Sequence, residues 1–133
     1  MKILKKISLA IIKDDKILLV RNKGFKSLLS PGGQLEKDEG DLESLQREIK
    51  EELNTVVDGD SLKYLETFED LAADREDTKV RIKLYLGEIK GNPTPSSEVS
   101  EIVKFSKSDS WDDLSPILKN KIIPYLISGG YLK

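Results

Sequence analysis

A chain of 133 residues, 38% apolar and 35% charged, has the balance of a globular protein with a well-solvated surface. That excludes a disordered chain and, by size, leaves room for one domain, 1–133. A net charge of −2 supplies no broad basic field to hold a nucleic acid polymer by its phosphates. Cysteine and histidine are both absent, so disulfides, thiolate zinc sites, cysteine nucleophiles and Ser-His-Asp triads are excluded. Any chemistry falls to carboxylates, hydroxyls, Lys, Arg and metal-bound water.

At the N-terminus, lysines precede an apolar run that is short, broken by Ser8 and without a leader-type cleavage site. Its β-branched content predicts a strand from Ile3 to Ile12, with Lys13-Asp14-Asp15-Lys16 as a hairpin turn into a second strand, Ile17-Leu18-Leu19-Val20. That second run is continuously apolar, which suits a strand buried on both faces, and Arg21 ends it. No segment approaches the roughly 20 apolar residues that cross a bilayer, and the expected location is the cytoplasm. Asn22 to Lys26 reads as a short loop in which Lys23 and Phe25 either meet a substrate or form an ordinary solvated hairpin, with Phe25 tucked against the core. Ser27-Leu28-Leu29-Ser30 leads into Pro31-Gly32-Gly33, where glycines let the backbone approach a ligand and offer carbonyl oxygens to a cation.

A helix is predicted to start near Gly40 and Asp41, with Gly as an acceptable cap and Asp41 and Glu43 suited to the positive end of the helix dipole. At about 100° per residue, Leu42, Leu45, Ile49 and Leu53 make one apolar stripe. Glu48, Glu51 and Glu52, at i, i+3 and i+4, converge beside it. Like charges so spaced weaken a helix by a few tenths of a kcal/mol per pair. The cluster is therefore either a solvated acidic face or the anchor of a bound cation, and all-oxygen ligation favours Mg²⁺ or Mn²⁺.

Beyond the helix, Val56-Val57 and Leu62 to Phe68 read as extended, with Asp58-Gly59-Asp60 as the turn between them. Leu71 to Asp77 is a polar loop and a candidate substrate wall. Val80, Ile82, Leu84 and Leu86 alternate with Arg81, Lys83 and Tyr85, the clearest period-two strand in the chain. The turn-rich stretch Gly91 to Ser97 is a loop that delivers Glu98 and Glu101, and Ile102 to Phe105 is a last strand. Ser115 and Pro116 are a cap and first residue for a closing helix, which Pro124 should kink or split. This order implies an α/β fold, a mixed sheet covered by helices.

Counted from Gly33, the pattern is Gly, five residues, Glu39, seven residues, then Arg47-Glu48-Ile49-Lys50-Glu51-Glu52, and after one more residue Asn54 and Thr55. It closely resembles the Nudix box. Asn54 stands where Gly is usual and Thr55 where an apolar residue is usual. Asn tolerates the left-handed conformation that ends a helix, Thr55 can present its methyl inward, and neither change touches a metal position. The resemblance implies the Nudix α/β/α sandwich and a Mg²⁺- or Mn²⁺-dependent hydrolase that cleaves a diphosphate linkage in a nucleotide derivative. It implies metal ligands at the Gly32 carbonyl, Glu48, Glu51 and Glu52, a phosphate contact at Arg21, and an orienting role for Arg47, steadied by Glu39. In the family the general base is a box glutamate or a loop glutamate, which makes Glu52 and Glu98 the candidates, with Glu101, immediately before the last strand, more constrained. Glu69 to Ala72 carry neither the Pro of ADP-ribose hydrolases nor the Tyr of dinucleoside polyphosphate hydrolases. A modified or ordinary nucleoside triphosphate is therefore favoured over ADP-ribose or a nucleotide sugar, and a catalytically inactive nucleotide-binding module is the rival from another class. The expected partners are a small-molecule nucleotide and at most a second copy, with the protein a monomer or homodimer.

Overall fold

The computed structural model describes residues Met1–Lys133. In chain order the elements are β1 (Lys2–Ala10), β2 (Ile12–Lys13), β3 (Lys16–Asn22), β4 (Leu28–Leu29), β5 (Gly32–Gln34), α1 (Asp41–Leu53), β6 (Val56–Leu71), β7 (Thr78–Lys90), β8 (Val99–Phe105), a π-helical turn (Leu118–Ile122) and α2 (Ile123–Ser128). One sheet is mixed, in the order β5-β1-β7-β6, with β1 parallel to β7 and antiparallel to β5. In the other, β3 is antiparallel to β2, β4 and β8.

Side chains alternate across a strand, and here both faces are covered. Leu45, Ile49 and Leu53 of α1 pack with Ile7, Leu9, Leu18 and Val20 on one face. On the other, Ile117, Leu118, Ile122 and Leu126 pack with Leu4, Ile17, Leu19 and Leu84. The unbroken apolar run of β3 follows from this, since its odd and even residues enter different cores. The result is the α/β/α sandwich with a mixed sheet.

The ends of α1 lie where local signals place them. Gly40 is the extended N-cap residue, and Asn54 adopts the left-handed conformation (φ 53°, ψ 41°), its N–H donating to the Lys50 carbonyl. Thr55 is buried, its hydroxyl donating to the Lys90 carbonyl. The first turn is docked on β7, where Lys83 Nζ reaches Asp41 Oδ2 at 3.0 Å and the Tyr85 hydroxyl donates to the same oxygen. Burial opposes the Asp41 charge, yet these two bonds hold its carboxyl below the usual range. Burial and Asp41 push Tyr85 up to about 12.

Four expectations are corrected. Leu42 does not join the buried stripe; it is 47% exposed and overhangs Gly59 of β6, while Ser44 is buried in the helix's first half. Asp58-Gly59-Asp60 is not a turn between two strands, because β6 runs through it. The register shifts between Asp58 and Lys63, and the extra residues bulge out, with the Asp60 N–H donating to Asp58 Oδ1 and the Ser61 hydroxyl to the Asp58 carbonyl. Turn-forming residues thus make a bulge when both flanks pair with the same strand. At the C-terminus the Ser115 carbonyl accepts the Lys119 N–H, but the Ser115 hydroxyl has no partner and does not cap. Pro124 does not break the closing helix: it lacks the N–H for an i−4 bond, and the turn before it widens to a π-helix through which the helical run 116–128 continues.

Candidate active site

Between α1, β5 and the floor strand β1 lies a cavity of about 390 Å³. Gly32 and Gly33 sit beside β1, in register with Ser8 and Ile7, and face the last two turns of α1. A side chain at Gly33 would occupy the space of the Glu48 carboxylate, so the absence of one lets that carboxylate lie flat against β5. The Gly32 N–H donates to Glu52 Oε1 at 2.7 Å. Burial, with Glu48 and Glu51 nearby, pushes Glu52 up to about 8 against the pull of that bond and of Lys6.

Behind this pair, Arg47 holds Glu39 through both oxygens, Nε at 2.8 Å and a terminal nitrogen at 2.7 Å, and its other terminal nitrogen donates to Glu48 Oε1 at 2.5 Å. Hydrogen bonds to Glu39 and Glu48 outweigh burial and strengthen the Arg47 charge; Arg47 in turn holds Glu39 below the usual carboxylate range. The planar fork satisfies two carboxylates at once.

The tight patch of three carboxylates expected from the helix wheel is not formed, and no three acidic residues converge into a cage. Arg47 draws Glu48 and lies 3.8 Å from Glu51, whereas Glu52 turns to the Gly32 amide. Glu48 and Glu52 line the cavity; Glu51, about half exposed, does not. Arg21, the expected phosphate contact, is also turned away from the cavity. Its Nε donates to Glu101 at 2.8 Å and a terminal nitrogen to Asp113 at 3.3 Å, because Arg21 and Glu101 are cross-strand neighbours in the β3–β8 register. That pairing also occupies Glu101.

Lys23 is exposed and outside the lining, with its N–H donating to the Glu98 carbonyl. Phe25, 48% exposed, and Glu98 both line the cavity, as do Ala72 to Arg75 of the loop marked as a substrate wall. The Thr94 and Ser96 N–H groups donate to the Leu53 and Glu52 carbonyls, tying the loop before Glu98 to the end of α1.

Sequence reasoning singled out neither Lys6, Asn22 nor Ser115 as site residues and marked Arg75 only within its loop, and all four are on the cavity. For Lys6 a signal existed. Leu4, Lys6, Ser8 and Ala10 share one face of β1, and two polar residues in the inward phase of a core strand mark a hole in the core. Burial and Arg75 lower the Lys6 pKa, more than Glu52, Glu48 and Glu98 raise it.

A NUDIX domain family model matches residues 5–126. No curated protein matches the sequence. Among solved structures, a NUDIX hydrolase from Nitrosomonas europaea superposes with a TM-score of 0.78 at 18% identity, over 96% of this chain and 90% of that one. A MutT NUDIX hydrolase from Burkholderia pseudomallei gives 0.68 at 22%, over 86% and 88%. A UDP-X diphosphatase gives 0.69 at 21%, over 98% and 65%. These likenesses carry the fold, and the family match over most of the chain carries the chemistry: the protein belongs to the NUDIX family and is a pyrophosphohydrolase acting on nucleotide derivatives.

Proposed function

We propose that the protein is a Mg²⁺- or Mn²⁺-dependent hydrolase of a nucleoside di- or triphosphate derivative, with a nucleoside triphosphate, ordinary or modified, as the favoured substrate, acting in the cytoplasm as a monomer or homodimer. The observation that carries this reading is the meeting of Glu48 and Glu52 with the Gly32-Gly33 backbone on one cavity wall, braced by Arg47 and Glu39.

The donor set is all oxygen, and Glu52 is a partly buried carboxylate short of positive charge, so the residues fit a hard cation. Glu48, Glu52 and the Gly32 carbonyl would hold it, with Glu51 reached from the exposed side. Such ions keep several waters and need few protein ligands. When bound, the ion would neutralise diphosphate charge and make a coordinated water more acidic. The chain's own groups do the rest. Lys6 and Arg75 offer positive charge to phosphate oxygens from the floor and the loop. Arg47 fixes the rotamer of Glu48. Glu98, exposed on the cavity rim, is the loop base, with Glu52 the alternative.

Purified protein incubated with Mg²⁺ and a panel of nucleoside triphosphates, ADP-ribose and UDP-sugars should release monophosphate-containing products identifiable by mass. Excess chelator should stop the reaction without changing the circular dichroism spectrum, and Mg²⁺ or Mn²⁺ should restore it. Full turnover in chelator with residual metal shown to be absent would overturn the metal assignment, and an inert panel would favour the inactive nucleotide-binding module.

Arg47→Lys keeps the charge but loses the fork that grips Glu39 and Glu48 together. Turnover should fall by about 10–100-fold, as for loss of a group that orients a ligand, with Tm nearly unchanged. Unchanged turnover would make the Arg47 cluster a surface ion-pair network only.

A further inference from the structure

Two polar side chains on the cavity take no part in the hydrolytic arrangement. Asn22 Oδ1 and Ser115 Oγ are both buried atoms with no hydrogen-bond partner in the chain, and both residues line the cavity. Ser115 is only 2% exposed. Buried oxygens are nearly always paired, and an N-cap serine normally spends its hydroxyl on the first turn of its helix. Neither rule is met here, and both exceptions open onto the same space.

The chain brings these residues to one strip. β4 pairs Leu28 with Arg21 and Leu29 with Val20. The Leu28–Leu114 bridge and the Ser115 N–H, which donates to the Leu28 carbonyl, then set Ser115 alongside. Phe25 stands in the loop after Asn22, its N–H donating to the Asn22 carbonyl, and it presents an exposed ring on the cavity. Glu48 and Glu52 line the same cavity from another element, α1, which meets β5 where Gly32 pairs with Ser8. An aromatic face next to unpaired oxygens is the equipment that reads a heteroaromatic base, by stacking on its plane and hydrogen bonding at its edge.

We propose that Asn22, Ser115 and Phe25 form the base-recognition end of the cavity, so that the group carrying the diphosphate is a nucleoside whose base offers an N–H to Asn22 Oδ1 and a polar edge atom to the Ser115 hydroxyl. This rests on the reading of the cavity as a nucleotide site, and it names which part of the nucleotide each end takes.

The test reads binding instead of hydrolysis, so the two proposals fail separately. The affinities of the four common nucleoside 5′-monophosphates and of ribose 5-phosphate, which lacks the base, are measured by calorimetry for the wild type, Asn22→Ala, Ser115→Ala and the double variant. At least one mononucleotide should bind about ten times more tightly than ribose 5-phosphate, the scale of one or two net hydrogen bonds. Asn22→Ala should remove part of that preference and the double variant most of it, the remainder being the stacking on Phe25, and ribose 5-phosphate should bind all four proteins alike. Asn22→Ser replaces Asn22→Ala if circular dichroism shows the latter to be unfolded. A wild type that binds no mononucleotide more tightly than ribose 5-phosphate, or a preference undiminished in the double variant, overturns the proposal. A preference diminished in the variants upholds it even if no nucleotide in the hydrolysis panel is cleaved.

Discussion

Glu52→Gln is expected to lower turnover on the order of 10³-fold, the scale on which preorganised charge stabilisation is lost from an active site, while leaving the fold at least as stable as before. The substitution keeps shape and keeps an acceptor for the Gly32 N–H. It removes a carboxylate that burial and Glu48 already make costly to ionise. Two measurements separate the roles. In wild type, added Mg²⁺ or Mn²⁺ should raise Tm, since a ligand that binds only the native state stabilises it; in Glu52→Gln that rise should largely vanish. A variant that turns over at wild-type rate, or that keeps the full metal-dependent rise in Tm, would remove Glu52 from the metal site.

Gly32→Ala should be the most disruptive single substitution for the fold. Gly32 has φ +148°, and a Cβ built there would fall on the Ile7 carbonyl oxygen and lie 2.8 Å from the Ser8 Cα. Both obstacles are backbone of β1, in the pairing that holds β5 to the mixed sheet, so no rotamer change relieves them. Backbone strain of this kind costs about 1–3 kcal/mol, and displacing β5 adds more, so a loss of at least about 3 kcal/mol is expected. Gly40→Ala is the control: its φ is −76° and nothing lies within 4 Å of an added Cβ, so its cost should stay below about 1 kcal/mol. Thermal or denaturant unfolding compares them, and equal stabilities would mean that β5 shifts freely and positions nothing.

What could be read in the sequence was what local chemistry determines. The bounds of α1 depend on Gly40 and Asn54, each acting within its own turn, and the Arg47–Glu39 grip is implied by a fixed spacing along one loop and helix. What was not legible depended on partners far away in the chain. The pairing of Arg21 with Glu101 of β8, 80 residues on, has no local signal. Asp58-Gly59-Asp60 carries turn chemistry in any context, and only pairing of both flanks to β7 turns it into a bulge. Leu42 fits the helical period, but it lies over Gly59 of β6, where the bulged strand offers no side chain to cover it and leaves it 47% exposed. Asn22 and Ser115 had no signal at all, since an unpaired oxygen is a property of the assembled cavity.

The stretch Pro93-Thr94-Pro95-Ser96 alternates residues that lack an N–H with residues that have one, and its two available amides are the two that bond to the end of α1. Proline also narrows what the unfolded chain can explore. The loop therefore has few competing conformations and few competing donors, and the entropy of placing Glu98 at the cavity rim is lost once, during folding, instead of in every encounter with substrate. In that sense this connection works as a spacer of set length between the end of the helix and the rim, although it contains no regular secondary structure.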